Sequence, residues 1–316
     1  MKTYSMRRMY GEALTDLGAR NPNVVALEAD LAEATKTSLF KERFPERFIQ
    51  VGIAEQNMMS IAAGLALCGK TAFVSGLAVF MTLRACEQLR TSVALARANV
   101  KIAGSYGGLC TAENGPTHQC IADLGVARSI PELKVVAPAD AEACRALVDA
   151  AAACPGPVYM RLLRDDEPLI YDRATAAGFT VGGGHRLRRG SDVTLCAHGM
   201  MVYESLRAAE LLEAEGISAS VLDLYSLKPL NRELVLEEAE ATGALVTVEE
   251  HNIIGGLGSA VAELLVRERP VPVKMIGLED EFAVSGRYAD LLAKYGLTGE
   301  KIAAQTAAWL QTLKRR

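Results

Sequence analysis

The chain has 316 residues, half of them hydrophobic, and a formal net charge of −4, which suits two domains of ordinary size with sizeable cores. Acids and bases are interspersed, so there is no basic stripe for nucleic acid and no acidic solvating tail. The seven cysteines, at 68, 86, 110, 120, 144, 154 and 196, form no Cys-x-x-Cys and no Cys/His pairing, which argues against zinc.

The odd, scattered cysteines fit a reduced, cytoplasmic protein. The segment Met1 to Tyr10 is polar and carries Arg7 and Arg8, so no signal peptide is expected. Apolar runs stop short of a membrane span, and no membrane association is expected.

In chain order, Ser5 to Gly18 has helical spacing, with Met6, Met9, Ala13, Leu14 and Leu17 on one side, and Asn21-Pro22 breaks it. Val24 to Glu28 reads as a buried strand that ends at Ala29-Asp30-Leu31. A polar loop and a short helix lead to Phe44. Phe48 to Val51 is a short strand that reaches Gly52; Glu55 then opens a helix of small and apolar residues that stops at Gly69. Ala62, Ala63, Gly64 and Ala66 would let that helix lie close to a neighbour, so it is expected to be buried. Thr71 to Ser75 is strand, Phe80 to Ala98 a long helix, and Asn99 to Ala103 strand. A glycine-rich loop, Gly104 to Gly115, follows, then helix Gln119 to Arg128, strand Lys134 to Ala137, helix Ala139 to Ala153 and strand Val158 to Leu162. Strand alternating with helix predicts a parallel sheet covered on both faces.

Asp165 to Arg189 lacks sustained periodicity, contains Gly182-Gly183-Gly184 and reads as a linker. A second alternating unit follows: strands Val193–Ala197, Ala219–Asp223, Ala244–Glu249 and Val273–Gly277, with helices Met201–Glu215, Asn231–Ala241 and Gly258–Glu268 between them. The expected fold is α/β in two domains, residues 1–168 and a smaller unit, 191–316, joined by a linker at 169–190.

Several residues stand out for chemistry. Glu55 is an acid between two buried elements, where ionisation is costly without a partner; it also reads as a first-turn acid that complements the helix dipole. His118 ends a loop leaving the C-terminal end of a parallel strand, where open α/β sheets bind ligands. A helix-capping role is the alternative. Phe80 reads as core or as a platform for a flat ring. Arg7, Arg161 and Arg164 suit phosphate, although surface pairing is the plainer reading of Arg161. Gly255-Gly256-Leu257-Gly258-Ser259 reads as a phosphate cradle or, equally, as tight strand-to-helix packing. His251 could reach an interface or cap its strand.

Taken together, Ile53-Ala54-Glu55-Gln56-Asn57 and Glu113-Asn114-Gly115-Pro116-Thr117-His118-Gln119 resemble the transketolase family of thiamine diphosphate enzymes. The likeness runs over nearly the whole chain: a pyrimidine-binding domain first, then a C-terminal domain with Thr247-Val248-Glu249-Glu250-His251 and Gly255-Gly256-Leu257-Gly258-Ser259. The family's Gly-Asp-Gly motif for the diphosphate and Mg²⁺ is absent from this sequence. The resemblance therefore implies the C-terminal subunit of a split transketolase, with an N-terminal partner subunit that supplies the diphosphate domain and holds the metal, and with self-association into a heterotetramer. It implies transfer of a two-carbon ketol unit between sugar phosphates.

By the same resemblance, Glu55 would bond the N1′ position of the aminopyrimidine, Phe80 would pack on its ring, and Asp30 would lie near the cofactor. His118 would contact the substrate, and Arg7 and Arg164 would hold its phosphate; no metal ligand is expected in this chain. Asn114 stands where relatives using common sugar phosphates carry Asp, an acid that reads a substrate hydroxyl. A histidine usual near Ser105-Tyr106 is also missing, and the loop after Asp30 offers only Thr35 as a hydroxyl. These departures point to an unusual ketose phosphate. Other thiamine diphosphate subunits, of the 2-oxo acid dehydrogenase beta or deoxyxylulose-phosphate-synthase kind, and a non-catalytic regulatory paralogue are the alternatives.

Overall fold

The computed structural model describes residues 2–314. Its strands in chain order are β1 (Thr3–Ser5), β2 (Val24–Glu28), β3 (Phe48–Gln50), β4 (Thr71–Leu77), β5 (Val100–Ser105), β6 (Lys134–Val136) and β7 (Val158–Arg161). They continue with β8 (Asp166–Pro168), β9 (His185–Arg188), β10 (Val193–Ala197), β11 (Ala219–Asp223), β12 (Ser226–Lys228), β13 (Leu245–Asn252) and β14 (Val273–Leu278).

A seven-stranded sheet has the order β12-β6-β7-β5-β4-β2-β3. All neighbours in it are parallel except β12, which runs antiparallel to β6. Its inner strands β2, β4 and β5 are buried at every residue, as expected of a parallel sheet covered on both faces. A five-stranded sheet, β14-β13-β10-β11-β9, is parallel except for the edge pair β9/β11.

Local signals set the helix ends. Helix Met6–Arg20 starts at Ser5, whose hydroxyl accepts from Arg8 N, and buries Met6, Met9, Tyr10, Ala13, Leu14 and Leu17. It packs against helix Ala141–Ala153. That second helix is capped by Asp140, which accepts from Ala143 N at 2.8 Å and also from the backbone of Ile170 and Tyr171. One buried carboxylate thus starts a helix and pins the segment expected to be a linker. Helix Arg232–Thr242 begins at the Asn231 cap and stops at Gly243, whose φ of 67° suits glycine.

The structure departs from expectation in three places. Phe80 to Ala98 is not one regular helix: two π-helical turns, Phe80–Arg84 and Leu89–Ala94, flank a short α turn, Cys86–Gln88. Ala85 N donates to Phe80 O and Leu95 N to Arg90 O, five residues back in each case. The helix Glu55–Leu67 is buried on one face only, at Glu55, Met58, Met59, Ala62 and Ala63; Gly64 is exposed, with open space where a side chain would stand. The linker stretch contributes β8, paired antiparallel with β1, and β9, on the edge of the second sheet. Short edge strands carry too little periodicity to be read from sequence.

Candidate functional site

Parallel strands bring their C-terminal ends to one edge of a sheet. On this edge β2 leads to Asp30, β3 to Glu55, β4 to Phe80, β5 to the loop that holds Asn114 and His118, and β7 to Arg164. Residues up to 134 positions apart in sequence, Asp30 and Arg164, therefore leave the same side of one sheet.

Glu55 is 3% exposed. Its Oε1 accepts from Arg84 at 2.9 Å, and the guanidinium of Arg84 lies 4.1 Å from the centre of the Phe80 ring. Phe80 also meets His118 edge to face, with ring centres 5.6 Å apart. His118 Nδ1 pairs with the Thr117 hydroxyl at 2.9 Å. An acid, a bridging guanidinium, an aromatic ring and an imidazole thus form one continuous cluster.

Asp30 is exposed and sits at φ 66°, in a turn held from both sides. Asp30 N donates to Gln50 Oε1 at 2.9 Å, and Leu31 N donates to Glu28 Oε2 at 2.5 Å. Burial pushes the Glu28 carboxyl up to about 7. Tyr106 and Ala112 also have positive φ, at 61° and 49°. Non-glycine residues held there carry strain of about 1–3 kcal/mol each, which clusters at functional sites.

Arg7 and Arg164 meet across Tyr106. Arg7 Nε donates to Arg164 O at 2.5 Å, and its terminal nitrogen donates to Ala34 O and to the Tyr106 hydroxyl at 2.8 Å. Both guanidiniums lie over the Tyr106 ring, at 5.0 and 5.6 Å. Two arginines and a phenol at one sheet edge form a donor set suited to a phosphate or sulfonate. Asn114 is exposed on the loop, at the end of a short 3₁₀ turn.

Three other readings are resolved. Arg161 is not a surface residue: it is 3% exposed, donates to Asp123 Oδ2 at 2.9 Å and also bonds the carbonyls of Cys120 and Glu250. The turn at Gly256 is closed by Glu249, whose carboxylate accepts from Leu257 N and Gly258 N at 2.7 and 2.8 Å; a side chain at Gly256 would strike that carboxylate, so close packing explains the glycine. His251 is fully buried, with Nε2 3.4 Å from Gly125 N and Nδ1 2.6 Å from Asn252 O, and it serves the packing between the two halves.

The geometry adds residues that had no role in the sequence reading: Arg84, Tyr106, Glu28, Gln50 and Glu250. Sequence offers little to single them out: Arg84, Tyr106, Gln50 and Glu250 act through partners 20 or more residues away, and Glu28 through a turn to Leu31 that its strand pattern does not announce. Among the described residues no group of three or more His, Cys, Asp or Glu is arranged to hold a metal ion. Among the described residues no helix is long and apolar enough to cross a membrane. A cleft of about 630 Å³ lies away from this edge, between helix Ala141–Ala153 and residues 173–181.

Residues 2–168 match the family described as transketolase, pyrimidine binding domain, and residues 182–302 match the transketolase C-terminal domain. The chain belongs to the transketolase family. It is 42% identical to a putative transketolase C-terminal section from Methanocaldococcus jannaschii, over 94% of each chain. It is 41% identical to the 6-deoxy-6-sulfo-D-fructose transketolase subunit SqwH of Clostridium sp. (strain MSTE9), over 96% of this chain and 93% of that one. Among solved structures it is similar to one described as a split gene transketolase, inactive beta4 tetramer. The TM-score is 0.89 at 46% identity, covering 98% of this chain and 99% of the other. The transketolase chain described here is thus of the C-terminal-subunit kind found in split transketolases, a family of thiamine diphosphate-dependent transferases.

Proposed function

We propose that this transketolase subunit contributes the pyrimidine half of a thiamine diphosphate site, and that an N-terminal partner subunit bearing Gly-Asp-Gly contributes the diphosphate half with Mg²⁺. The observation that carries the proposal is the Glu55–Phe80–His118 cluster on an open sheet edge. A buried acid beside a flat ring fits an aminopyrimidine, whereas this sequence has no Gly-Asp-Gly for a diphosphate.

Bound thiamine diphosphate supplies the carbanion chemistry that detaches and delivers a two-carbon ketol unit. The protein's residues position the reactants and move protons. Glu55 would hold a proton against the pyrimidine N1′ position, Phe80 would pack on the ring, and Asp30 would stand near the cofactor. His118 hydrogen-bonds the donor's hydroxyls and is placed to pass a proton to or from them. Arg7 and Arg164, with Tyr106 between them, take the anionic end of the sugar. Asn114 offers an amide where a substrate hydroxyl is read, which favours an unusual ketose; the sulfosugar transketolase relative is in keeping with that.

Exposed apolar residues line the outer side of the helical stretches 55–67 and 80–98: Ile53 and Leu83 toward the site, Leu67 and Leu95 toward the far end. Such a face is suited to a protein partner, and we assign it to the N-terminal subunit and to a second copy of this chain, giving a heterotetramer. For this assignment the chain divides at 1–168, 169–190 and 191–316. All seven cysteines are free, and Cys110, Cys120, Cys144 and Cys196 are buried, in keeping with a reducing cytoplasm.

The test is reconstitution. The isolated chain is expected to show no ketol transfer; mixing with a Gly-Asp-Gly partner, thiamine diphosphate and Mg²⁺ should produce it. A panel of D-xylulose 5-phosphate, D-fructose 6-phosphate and 6-deoxy-6-sulfo-D-fructose then identifies the donor. Full turnover by the isolated chain would reject the two-chain reading.

A further inference from the structure

The glycine-rich loop after β5 is closed at its base by its own half of the molecule. Gly108 N donates to Cys120 O at 2.8 Å, Cys120 N returns a bond to Gly108 O at 2.9 Å, and Gly107 N donates to Leu162 O at 3.0 Å. Beyond that base, in addition to the turns within the loop itself, four of its bonds are made with the C-terminal half. At the loop's start Leu109 N donates to Glu250 Oε1. At its crest Ser285 Oγ donates to Glu113 O at 2.6 Å. At its exit Gln119 Nε2 donates to Val284 O at 3.0 Å and Asn252 N to Ile121 O at 2.9 Å.

Glu250 is central to this arrangement. It is 2% exposed, its second oxygen accepts from Tyr288 at 2.9 Å, and its own carbonyl accepts from Arg161 at 2.8 Å. Burial pushes its carboxyl up to about 7, against the opposing pull of Arg161. The loop makes room for it: Gly108 has φ 73°, and a side chain there would come within 2.5 Å of Glu250 Oε1. A loop rich in glycine loses much conformational entropy on ordering, so contacts at its start, crest and exit decide how well its residues are placed.

We propose that Glu250 is a positioning residue that acts across the two halves: with Ser285 it clamps the loop presenting Asn114 and His118, so the C-terminal half shapes the sugar-binding edge of the pyrimidine half. This rests on Asn114 and His118 being sugar contacts.

The experiment uses the reconstituted two-chain enzyme and the donor that turns over in the panel above. Glu250→Ala leaves Leu109 N unpaired and is expected to raise KM for the donor by about tenfold or more, with kcat and the cofactor activation constant little changed. Glu250→Gln is expected to restore a KM close to that of the unsubstituted enzyme. Its carbonyl can accept from Leu109 N while its amide donates to the Tyr288 oxygen. Ser285→Ala is expected to raise KM about two- to threefold. An unchanged donor KM in Glu250→Ala overturns the proposal, as does a proportionate loss of kcat and cofactor affinity. Should Glu250→Ala fail to fold, Tyr288→Phe and Ser285→Ala decide: an unchanged KM in both overturns it. His118→Ala separates the two levels. A fully active His118→Ala enzyme removes the sugar-contact reading, whereas an impaired one beside normal Glu250 and Ser285 variants removes the clamp alone.

Discussion

Arg84 donates to Glu55 at 2.9 Å, pairing a carboxylate side chain that is 4% exposed with an arginine side chain that is 46% exposed. The same guanidinium covers the Phe80 ring. An ion pair with one partner half in water is screened and contributes less than about 1 kcal/mol. Glu55 can therefore exchange Arg84 for a ring nitrogen at small cost, although its surroundings exclude water. Glu55→Gln is expected to lower turnover of the reconstituted enzyme by about 10²–10⁴-fold, with unfolding free energy changed by no more than about 1 kcal/mol. Steady-state kinetics beside denaturant unfolding checks both; near-normal turnover removes Glu55 from the mechanism.

The arginine pair over Tyr106 makes a separate prediction. Arg7 spends its donors on Arg164 O, Ala34 O and Tyr106, so its head is fixed before any substrate arrives. Arg7→Ala removes a charge-assisted donor and loosens Arg164. The expected result is a rise in KM of about tenfold or more for ketoses with a phosphate or sulfonate end. Hydroxypyruvate, which has no such end, should be used about as well as before. Equal losses for both donors would show that the pair is not the anion site.

Asn114 is exposed, and its side chain is not engaged in the bonds that build the loop. Asn114→Asp should therefore leave stability within about 0.5 kcal/mol and act on specificity alone. The ratio of kcat/KM between D-fructose 6-phosphate and the native donor is expected to move toward the common sugar by about tenfold, roughly what one well-placed hydrogen bond supplies. An unmoved ratio would mean that Asn114 does not read the substrate.

Much of this was legible in the sequence for identifiable reasons. Val24–Glu28 and Val193–Ala197 are continuous apolar runs between turn signals, and the strands fall where those runs lie. Asp30, Glu55, Phe80, His118 and Arg164 follow strands, so parallel topology alone gathers them on one edge. The structure adds what depends on long-range partners. Arg161 ends a strand with nothing nearby to mark it, yet Asp123 makes it an interior ion pair. The π-turns around Phe80 depend on five-residue hydrogen bonds that no periodicity of side chains announces. β12 follows two residues after β11 but leaves the second sheet for the first, a choice set by pairing with β6.

Buried carboxyls give the enzyme a pH-dependent stability. Burial pushes Asp223 up to about 8, Glu167 up to about 8, and Glu28 and Glu250 up to about 7. An unfolded chain ionises all four well below neutrality, so between about pH 6.5 and 8.5 the folded state binds more protons and stability falls as pH rises. Buried His198, held neutral by desolvation, acts in the opposite sense only below its ordinary range, near 6.5. Asp223 is the cleanest probe: it is fully buried, accepts from Tyr171 at 2.8 Å through Oδ2, and has no partner at Oδ1. Asp223→Asn keeps an acceptor for Tyr171 and removes the charge. The melting temperature should decline from pH 6.5 to 8.5 in the unsubstituted chain and decline less in Asp223→Asn, with the variant more stable by roughly 1–3 kcal/mol at the upper end. Parallel curves for the two proteins would show that Asp223 does not titrate in this window.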